Sequence, residues 1–282
     1  MRTFAIVDAN NLASRMFYGM PSLSFKGTRV EVIDGFLREI HAISHAVGVP
    51  LKRFVYCFDS ADRSLRRKIV PSYKAKRDDD DFFVGTGKAK EHYRSQIDML
   101  RKTALPAAGV KGIYWEKGYE ADDLIASLCK HALCFETTRA VVVTNDSDFY
   151  QLLHPKLVRI FNHRDGSFMC YNKFRKTYEV HPDQWARVKA IAGCDVDGVK
   201  GVPGVGEMTA IKFLTEKDHS GKRMQAIHAF AQQALKNLKV VKLPLEGCPR
   251  MDKLIPSPEL NFKAACKMYG INPGRLGIGY GD

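Results

Sequence analysis

The sequence lacks any apolar run approaching the ~18 residues of a membrane span. Its first residues lack the basic region, apolar stretch and cleavage site of a secretory signal, so no such signal is expected. No Cys-x-x-Cys occurs. The seven cysteines (Cys57, Cys129, Cys134, Cys170, Cys194, Cys248 and Cys266) are odd in number and irregular in spacing. That pattern argues against a zinc site or a disulfide framework and for a reducing compartment: the cytoplasm, or a host's cytoplasm if the protein is viral. Acids are in the minority, with 31 Asp+Glu against 44 Lys+Arg and a net charge of +13. Such an excess of positive charge points to a polyanionic partner, nucleic acid first. With 45% hydrophobic and 27% charged residues, the 282-residue chain has ordinary globular composition and length for about two domains.

Hydrophobic patterning gives an alternation of strands and helices. Thr3–Asp8, Arg53–Phe58 and Ala140–Thr144 read as buried strands, with a short one at Ile113–Trp115. Val30–Gly48, Lys88–Leu105 and Ala121–Phe135 read as helices, and Asn10 and Asn11 offer caps for a short one. Arg164-Asp-Gly166 between two apolar runs signals a hairpin. This alternation predicts an α/β fold with a mostly parallel sheet flanked by helices. After about residue 182 the strand signal fades. The chain is therefore divided into a core over residues 1–182 and a helical region over 183–282.

Three predicted strands end in or beside an acid: Asp8, Asp59 and Asp146. Ligands of parallel sheets bind outside the carboxyl ends of the strands, so these acids are expected together. Further acids stand in Glu120-Ala-Asp-Asp123, in Thr144-Asn-Asp-Ser-Asp148 and in Cys194-Asp-Val-Asp197. Each cluster alone has a plain structural reading: a helix dipole complemented by acids, a cap with a turn, a turn rich in Asp and Gly. Jointly, so many carboxylates at one edge repel unless cations relieve them. All-oxygen ligands favour Mg²⁺, with Mn²⁺ able to substitute, over zinc. Two such ions roughly 4 Å apart are a standard device for phosphodiester hydrolysis.

Between Arg63 and Arg77 lie seven basic residues, Tyr73 and no acid. The segment reads either as a phosphate-holding, base-stacking stretch or as a solvated helix face. Gly201-Val-Pro-Gly-Val-Gly206 before an apolar-periodic helix reads either as a phosphate-approaching loop or as a tight interhelical turn.

Taken in order, several segments resemble the 5′-nuclease family: flap endonucleases, bacteriophage 5′–3′ exonucleases and the exonuclease domain of bacterial DNA polymerase I. They are Asp8, Asp59, Arg66 with Pro71-Ser-Tyr-Lys-Ala-Lys-Arg77, Glu120-Ala-Asp-Asp123, Thr144-Asn-Asp-Ser-Asp-Phe-Tyr-Gln-Leu152 and Gly201-Val-Pro-Gly-Val-Gly206. The absence of a polymerase-sized extension fits a standalone phage or bacterial type. The resemblance implies a PIN-like core, a helical arch near residues 63–90 and a helix–hairpin–helix near 193–216. It implies two divalent ions and cleavage near 5′ ends of DNA at flaps, nicks or branches, in replication or repair, by a monomer. Asp8, Asp59, Glu120, Asp122 and Asp123 would serve one metal, some of them through water, and Asp146, Asp148, Asp197 and Asp195 the other. Lys74 and Arg77 would act on the reacting phosphate. Arg66, Tyr73, Lys189, Gly201, Val202, Gly204 and Gly206 would contact DNA, with K⁺ at the glycine loop. The family commonly has Gly-Asp-x-x-Asp where this chain has Gly193-Cys-Asp-Val-Asp197, so Asp195 is expected to substitute by a local shift or the second metal to be held more weakly. The alternatives are an RNase H-like nuclease that removes RNA primers from RNA–DNA hybrids, and a non-cleaving junction-binding protein. A phosphatase of the haloacid dehalogenase type would want Asp-x-Asp, and Asp8-Ala-Asn10 argues against it.

Overall fold

The computed structural model describes residues 2–78, 87–133, 137–216 and 220–276. In chain order, β1 (Arg2–Asp8) leads directly into α1 (Ala9–Gly19), followed by a hairpin of β2 (Ser24–Phe25) and β3 (Thr28–Arg29) and by α2 (Glu31–Val47). Next come β4 (Phe54–Cys57), α3 (Ser64–Ile69), α4 (Gly87–Met99), α5 (Leu105–Ala107), β5 (Ile113–Tyr114) and α6 (Ala121–His131). β6 (Thr138–Val143), β7 (Val158–Asn162), β8 (Ser167–Met169) and α7 (Tyr171–Tyr178) complete the α/β part. Beyond it lie α8 (Trp185–Ala192), β9 (Gly193–Cys194), β10 (Val199–Lys200), α9 (Glu207–Thr215), α10 (Lys222–Ala229), α11 (Ala231–Val241) and α12 (Phe262–Tyr269).

The main sheet runs β5-β4-β1-β6-β7-β8 and is parallel except for β8, which closes the expected hairpin with β7. Alternate residues of a strand face opposite sides. Ala5, Val7, Phe54, Tyr56, Val141 and Val143 pack with α1, α2, α5 and α12 on one face. Phe4, Ile6, Val55, Cys57, Ala140 and Val142 pack with α6, α8 and α9 on the other. With both faces covered, the strands read as continuous apolar runs. The chain lays β4 and β5 on one side of β1 and β6 onward on the other. Strand order therefore reverses at β1, which places a crevice at its carboxyl end.

The expected strands and helices are present, with corrections at the margins. The helix expected over Lys88–Leu105 is interrupted, because α4 widens into a π-helical stretch, Leu100–Ala104, before α5. The pairs β2–β3 and β9–β10 escaped notice because two-residue strands carry no periodicity. The boundary at residue 182 marks a change of element type but not of core. Trp185, Val188, Ile191, Val202 and Ala210 pack in one cluster with sheet and α6 residues, and α12 packs beneath α2. Of the expected arch, α3, the single turn Ala75–Asp78 and α4 are described, and the span between turn and α4 lies outside the described residues. Among the described residues no helix is long and apolar enough to cross a membrane.

One buried ion pair joins these layers. The guanidinium of Arg66, on α3, donates to both carboxylate oxygens of Asp123, on α6, at 2.7 and 2.9 Å. Its Nε donates to the Val240 carbonyl of α11, and Asp123 also accepts from the Leu245 amide. Removing one member strands the other charge in the core, at a cost of about 3–5 kcal/mol. Arg66→Met should therefore lower the free energy of unfolding by that amount, read by circular dichroism as a lower urea midpoint with little change in the slope of the transition. An unchanged midpoint would contradict the structural role.

Candidate active site

Five carboxylates line one cleft of about 1000 Å³, four of them near strand ends and the fifth, Asp98, on α4. Asp8 ends β1, Asp59 follows β4, Asp146 follows β6 and Asp122 stands in the first turn of α6. Parallel pairing of β4, β1 and β6 brings the first three side by side. Local bonds fix Asp8, Asp59 and Asp146. Asp8 caps α1 by accepting from the Asn11 amide at 3.1 Å and from the Thr144 hydroxyl at 3.2 Å. Asp59 accepts from the Ala121 amide at 2.8 Å, and its own amide donates to Asn10 Oδ1. Asp146 accepts from the Asp148 amide at 2.8 Å.

These bonds do not neutralise the charge. Burial and then the Asp59 charge push the Asp8 carboxyl up from 3.8 to about 8. Burial and the neighbouring Asp148 push Asp146 up to about 6. Burial raises Asp59, with Glu120 adding to it, and raises Asp122 well above the carboxylate range, with Asp8 adding to it. The donor set is oxygen only, suited to hard divalent cations. Among the described residues no three acidic, histidine or cysteine side chains close on one point by themselves. Ions here would complete their shells with water and phosphate oxygens, as Mg²⁺ commonly does.

Glu120 and Asp123 were grouped with the metal acids, and the structure separates them. The two form a capping box at the start of α6. Both Asp123 oxygens are taken by Arg66, the Leu245 amide and the Glu120 amide, so Asp123 has no lone pair facing the cleft to offer an ion. Glu120 accepts from the Tyr73 hydroxyl at 2.7 Å and from Lys74 Nζ at 2.9 Å, with Arg66 at 3.3 Å. Burial opposes its ionisation, but Lys74 and Arg66 outweigh it and hold its carboxyl at about 2. Glu120 thus anchors cations and is not part of the cleft lining.

The same contacts correct two DNA-binding assignments. Arg66 is 3% exposed and engaged by Asp123, Glu120 and the Val240 carbonyl, and Tyr73, 5% exposed, has Arg66 and Lys74 over its ring and its hydroxyl on Glu120. Neither presents a surface to a phosphate or a base. Lys74 does line the cleft. Its backbone is left-handed, φ 48°, and its amide donates to the Asp197 carbonyl at 2.8 Å, tying the basic segment to the β9–β10 turn. Arg77 lies on the turn Ala75–Asp78, and its side chain is outside the described residues.

The second set of acids is only partly assembled. Asp148 is bound by Lys189 Nζ at 3.0 Å, and Lys189 also donates to Glu207 at 2.9 Å and to the Ser147 hydroxyl at 2.9 Å. All three ammonium protons are engaged, so Lys189 organises protein groups and is not a free phosphate contact. Asp197 is near enough to add to the rise of Asp146. Asp195 is exposed, while burial and then Asp197 raise the Cys194 thiol. The Cys194 thiol is thus close enough to Asp197 and Asp148 to feel both charges. In the glycine loop, a Cβ on Gly201 would fall 2.0 Å from the Ala192 carbonyl, and Val202 is buried with its amide on the Ile191 carbonyl. Those two positions serve packing. Gly204, φ 72°, and Gly206 are exposed with open space around them. Asn10 and Asn11 also line the cleft, beside Arg63 and Trp115. As neutral residues Asn10 and Asn11 carried no charge signal, and only their place after β1 marked them.

The family model of the 5′-3′ exonuclease N-terminal resolvase-like domain matches residues 3–179. The chain belongs to the 5′–3′ exonuclease family. It is 31% identical over 220 residues to DNA polymerase I of Mycobacterium bovis, covering 76% of this chain and 23% of that protein. Against the thermostable DNA polymerase I of Thermus aquaticus it is 31% identical over 212 residues, covering 75% and 23%. The chain thus spans about a quarter of the length of the curated relatives it matches. In fold it is similar to T5 5′-exonuclease with divalent zinc ions bound: TM-score 0.72, 20% identity, 86% of this chain and 90% of that one. Flap endonuclease-1 from Methanococcus jannaschii aligns with a TM-score of 0.57 and 16% identity over 98% and 89%. The PIN-like, resolvase-type architecture of the family is therefore the architecture of this sheet.

The raised acids make a signed prediction. A native acid whose pKa lies above its unfolded value holds a proton that the unfolded chain has lost. Stability of the metal-free protein therefore declines as pH rises from the ordinary carboxylate range up to about 6 for Asp146 and up to about 8 for Asp8. His163, held down to about 4 by burial and Arg15, acts in the opposite sense only below its unfolded value near 6.5. Above pH 6.5 the decline is carried by Asp8. Thermal melts in EDTA should fall in Tm from pH 6.5 to 8.5, and Mg²⁺ should raise Tm more at 8.5 than at 6.5. An equal Mg²⁺ effect at both would contradict the assignment.

Proposed function

We infer that the chain is a divalent-metal-dependent 5′-nuclease that hydrolyses phosphodiesters near the 5′ end of DNA at flaps, nicks or branches. The observation that carries this reading is the set Asp8, Asp59, Asp122 and Asp146 in one cleft, without a cation on each, in a chain of this family. Bound Mg²⁺ would supply a polarised phosphoryl oxygen and an ionised water. Asp8, Asp59 and Asp122 would hold one ion. Asp146 would share the second with Asp197, and with Asp148 if Lys189 yields it. The Cys194 thiol next to this second group supports weaker retention of Mg²⁺ there, since a thiol is a poor ligand for a hard cation.

The protein's own residues supply positioning and charge. Glu120, ionised across the working range, holds the Lys74 ammonium at the edge of the acid-lined cleft. A positive charge held there stabilises negative charge that develops on a reacting phosphate. Arg77, three residues on, is assigned to the same task on the family resemblance. Exposed backbone at Gly204 and Gly206 leaves room for a duplex phosphate and for the potassium ion that the resemblance implies. DNA as the partner is supported by the fold shared with a T5 flap endonuclease in a pseudo-enzyme-product complex with DNA and metal ions: TM-score 0.71, 19% identity, 95% of this chain and 100% of that one. Retention of the cleft acids argues against a non-cleaving junction binder.

The test is cleavage of a 5′-labelled flap, a nicked duplex and an RNA–DNA hybrid with Mg²⁺ or EDTA. Cleavage of the flap in Mg²⁺ alone is expected, and preference for the hybrid would favour the primer-removing reading instead. Asp146→Asn should lose at least ~10²-fold in rate, the scale of a lost transition-state contact, without lowering Tm in EDTA. Full activity would remove Asp146 from the site. Lys74→Ala should slow single-turnover cleavage at saturating enzyme by at least ~10²-fold, about 2.7 kcal/mol of barrier, with a smaller change in affinity. Weaker binding at an unchanged single-turnover rate would return Lys74 to a bulk backbone contact.

A further inference from the structure

The cleft lining carries two chemistries. Besides the acids of the strand ends it includes Trp115, Arg101, Lys102 and Arg94, with Asp98 among these basic residues. Trp115 follows β5, the edge strand whose Tyr114 pairs with Cys57 of β4. It therefore stands opposite Phe58, one residue before Asp59, at the same carboxyl edge as the acids. Adjacent strands lie about 4.8 Å apart, so Trp115 is roughly 5 Å from the strand of Asp59 and roughly 10 Å from that of Asp8. That is the reach of one or two nucleotides along a single strand.

Trp115 is 41% exposed and belongs to neither main core cluster. Folding alone does not account for a large aromatic at this place. The guanidinium of Arg101 lies 4.5 Å from the ring centroid, stacking on the indole and holding it in position. Arg101 and Lys102 sit in the π-helical stretch, and the widened turn there sets where both side chains leave the helix. Asp98 pairs with both at 3.4 and 2.9 Å and offsets part of their charge, but the four cleft residues Arg94, Arg101, Lys102 and Arg63 outnumber it. An exposed indole beside several cations is the arrangement that holds single-stranded nucleic acid, a base on the ring and phosphates on the charges, without reading sequence.

We propose that Trp115, backed by Arg101, is a stacking platform for one unpaired nucleotide of the substrate strand next to the scissile phosphate. It gives the protein a preference for frayed or flapped ends over fully paired ones. The inference rests on the nuclease reading and adds to it a specific subsite.

The test compares wild type, Trp115→Ala and Trp115→Phe, with Ca²⁺ in place of Mg²⁺ to hold uncut substrate. The probes are a nicked duplex and the same duplex with a short 5′ single-stranded flap carrying 2-aminopurine at its first unpaired position. Wild type should change the 2-aminopurine emission through stacking. Trp115→Ala should abolish that change and weaken flap binding about 10-fold, the scale of one stacked base, while leaving nick affinity as it was. Trp115→Phe should keep most of both. In Mg²⁺, the Ala variant should raise KM for the flap more than it lowers kcat. Flap binding by Trp115→Ala equal to wild type, or equal losses on flap and nick, would overturn the platform while leaving the nuclease reading intact. Wild type that binds neither probe and cuts neither would overturn the nuclease reading, and the platform with it.

Discussion

Crowding of carboxylates at the carboxyl ends of β1, β4 and β6 is the constraint on which the rest of the site depends. The sheet order makes it unavoidable, because β1 lies between β4 and β6 and each of the three strands leads into an acid. Desolvation and mutual repulsion then raise Asp8, Asp59, Asp122 and Asp146 together. A protein with a large excess of positive charge has left these four short of cations. Such a cluster is destabilising unless something arrives to relieve it, and divalent ions with a phosphate between them are the chemistry that fits.

Beside the cluster stands its opposite, a buried group in which charge is balanced internally. Glu120, Asp123, Arg66, Lys74 and the Tyr73 hydroxyl satisfy one another away from water. Glu120 is driven down to about 2 while Asp8 is driven up to about 8. The separation divides labour: one set of acids keeps the scaffold of α3, α6 and α11 together, and the other is left for ligands. Lys74 joins the two sets, since its ammonium is anchored by the first and faces the cleft made by the second.

The strands, the long helices and the convergence of Asp8, Asp59 and Asp146 were legible in the sequence, because apolar runs ending in acids report directly on a parallel sheet. What could not be read was which acids were already spoken for. Asp122 and Asp123 are neighbours in sequence, yet only the three-dimensional position of Arg66 makes one structural and leaves the other facing the cleft. The run from Arg63 to Arg77 looked like one basic surface, whereas Arg66 and Lys74 turn inward and Tyr73 goes with them. Cys194 was seen as a departure from the family pattern, but its place facing Asp197 and Asp148 depends on the β9–β10 ribbon, whose two-residue strands leave no pattern. Trp115 gave no charge signal and its place in the cleft was visible only once the cleft was formed, while Asn10 was marked only by its position after β1.

The central claim is that the cleft acids exist to hold divalent cations. The most direct measurement is a calorimetric titration of the whole chain with Mn²⁺ at pH 7 in buffers of different ionisation enthalpy, repeated at pH 9. With Asp8 titrating near 8, binding at pH 7 should displace protons, and the displacement should shrink at pH 9 while affinity rises. Binding without proton release at pH 7, or no saturable binding at either pH, would contradict it.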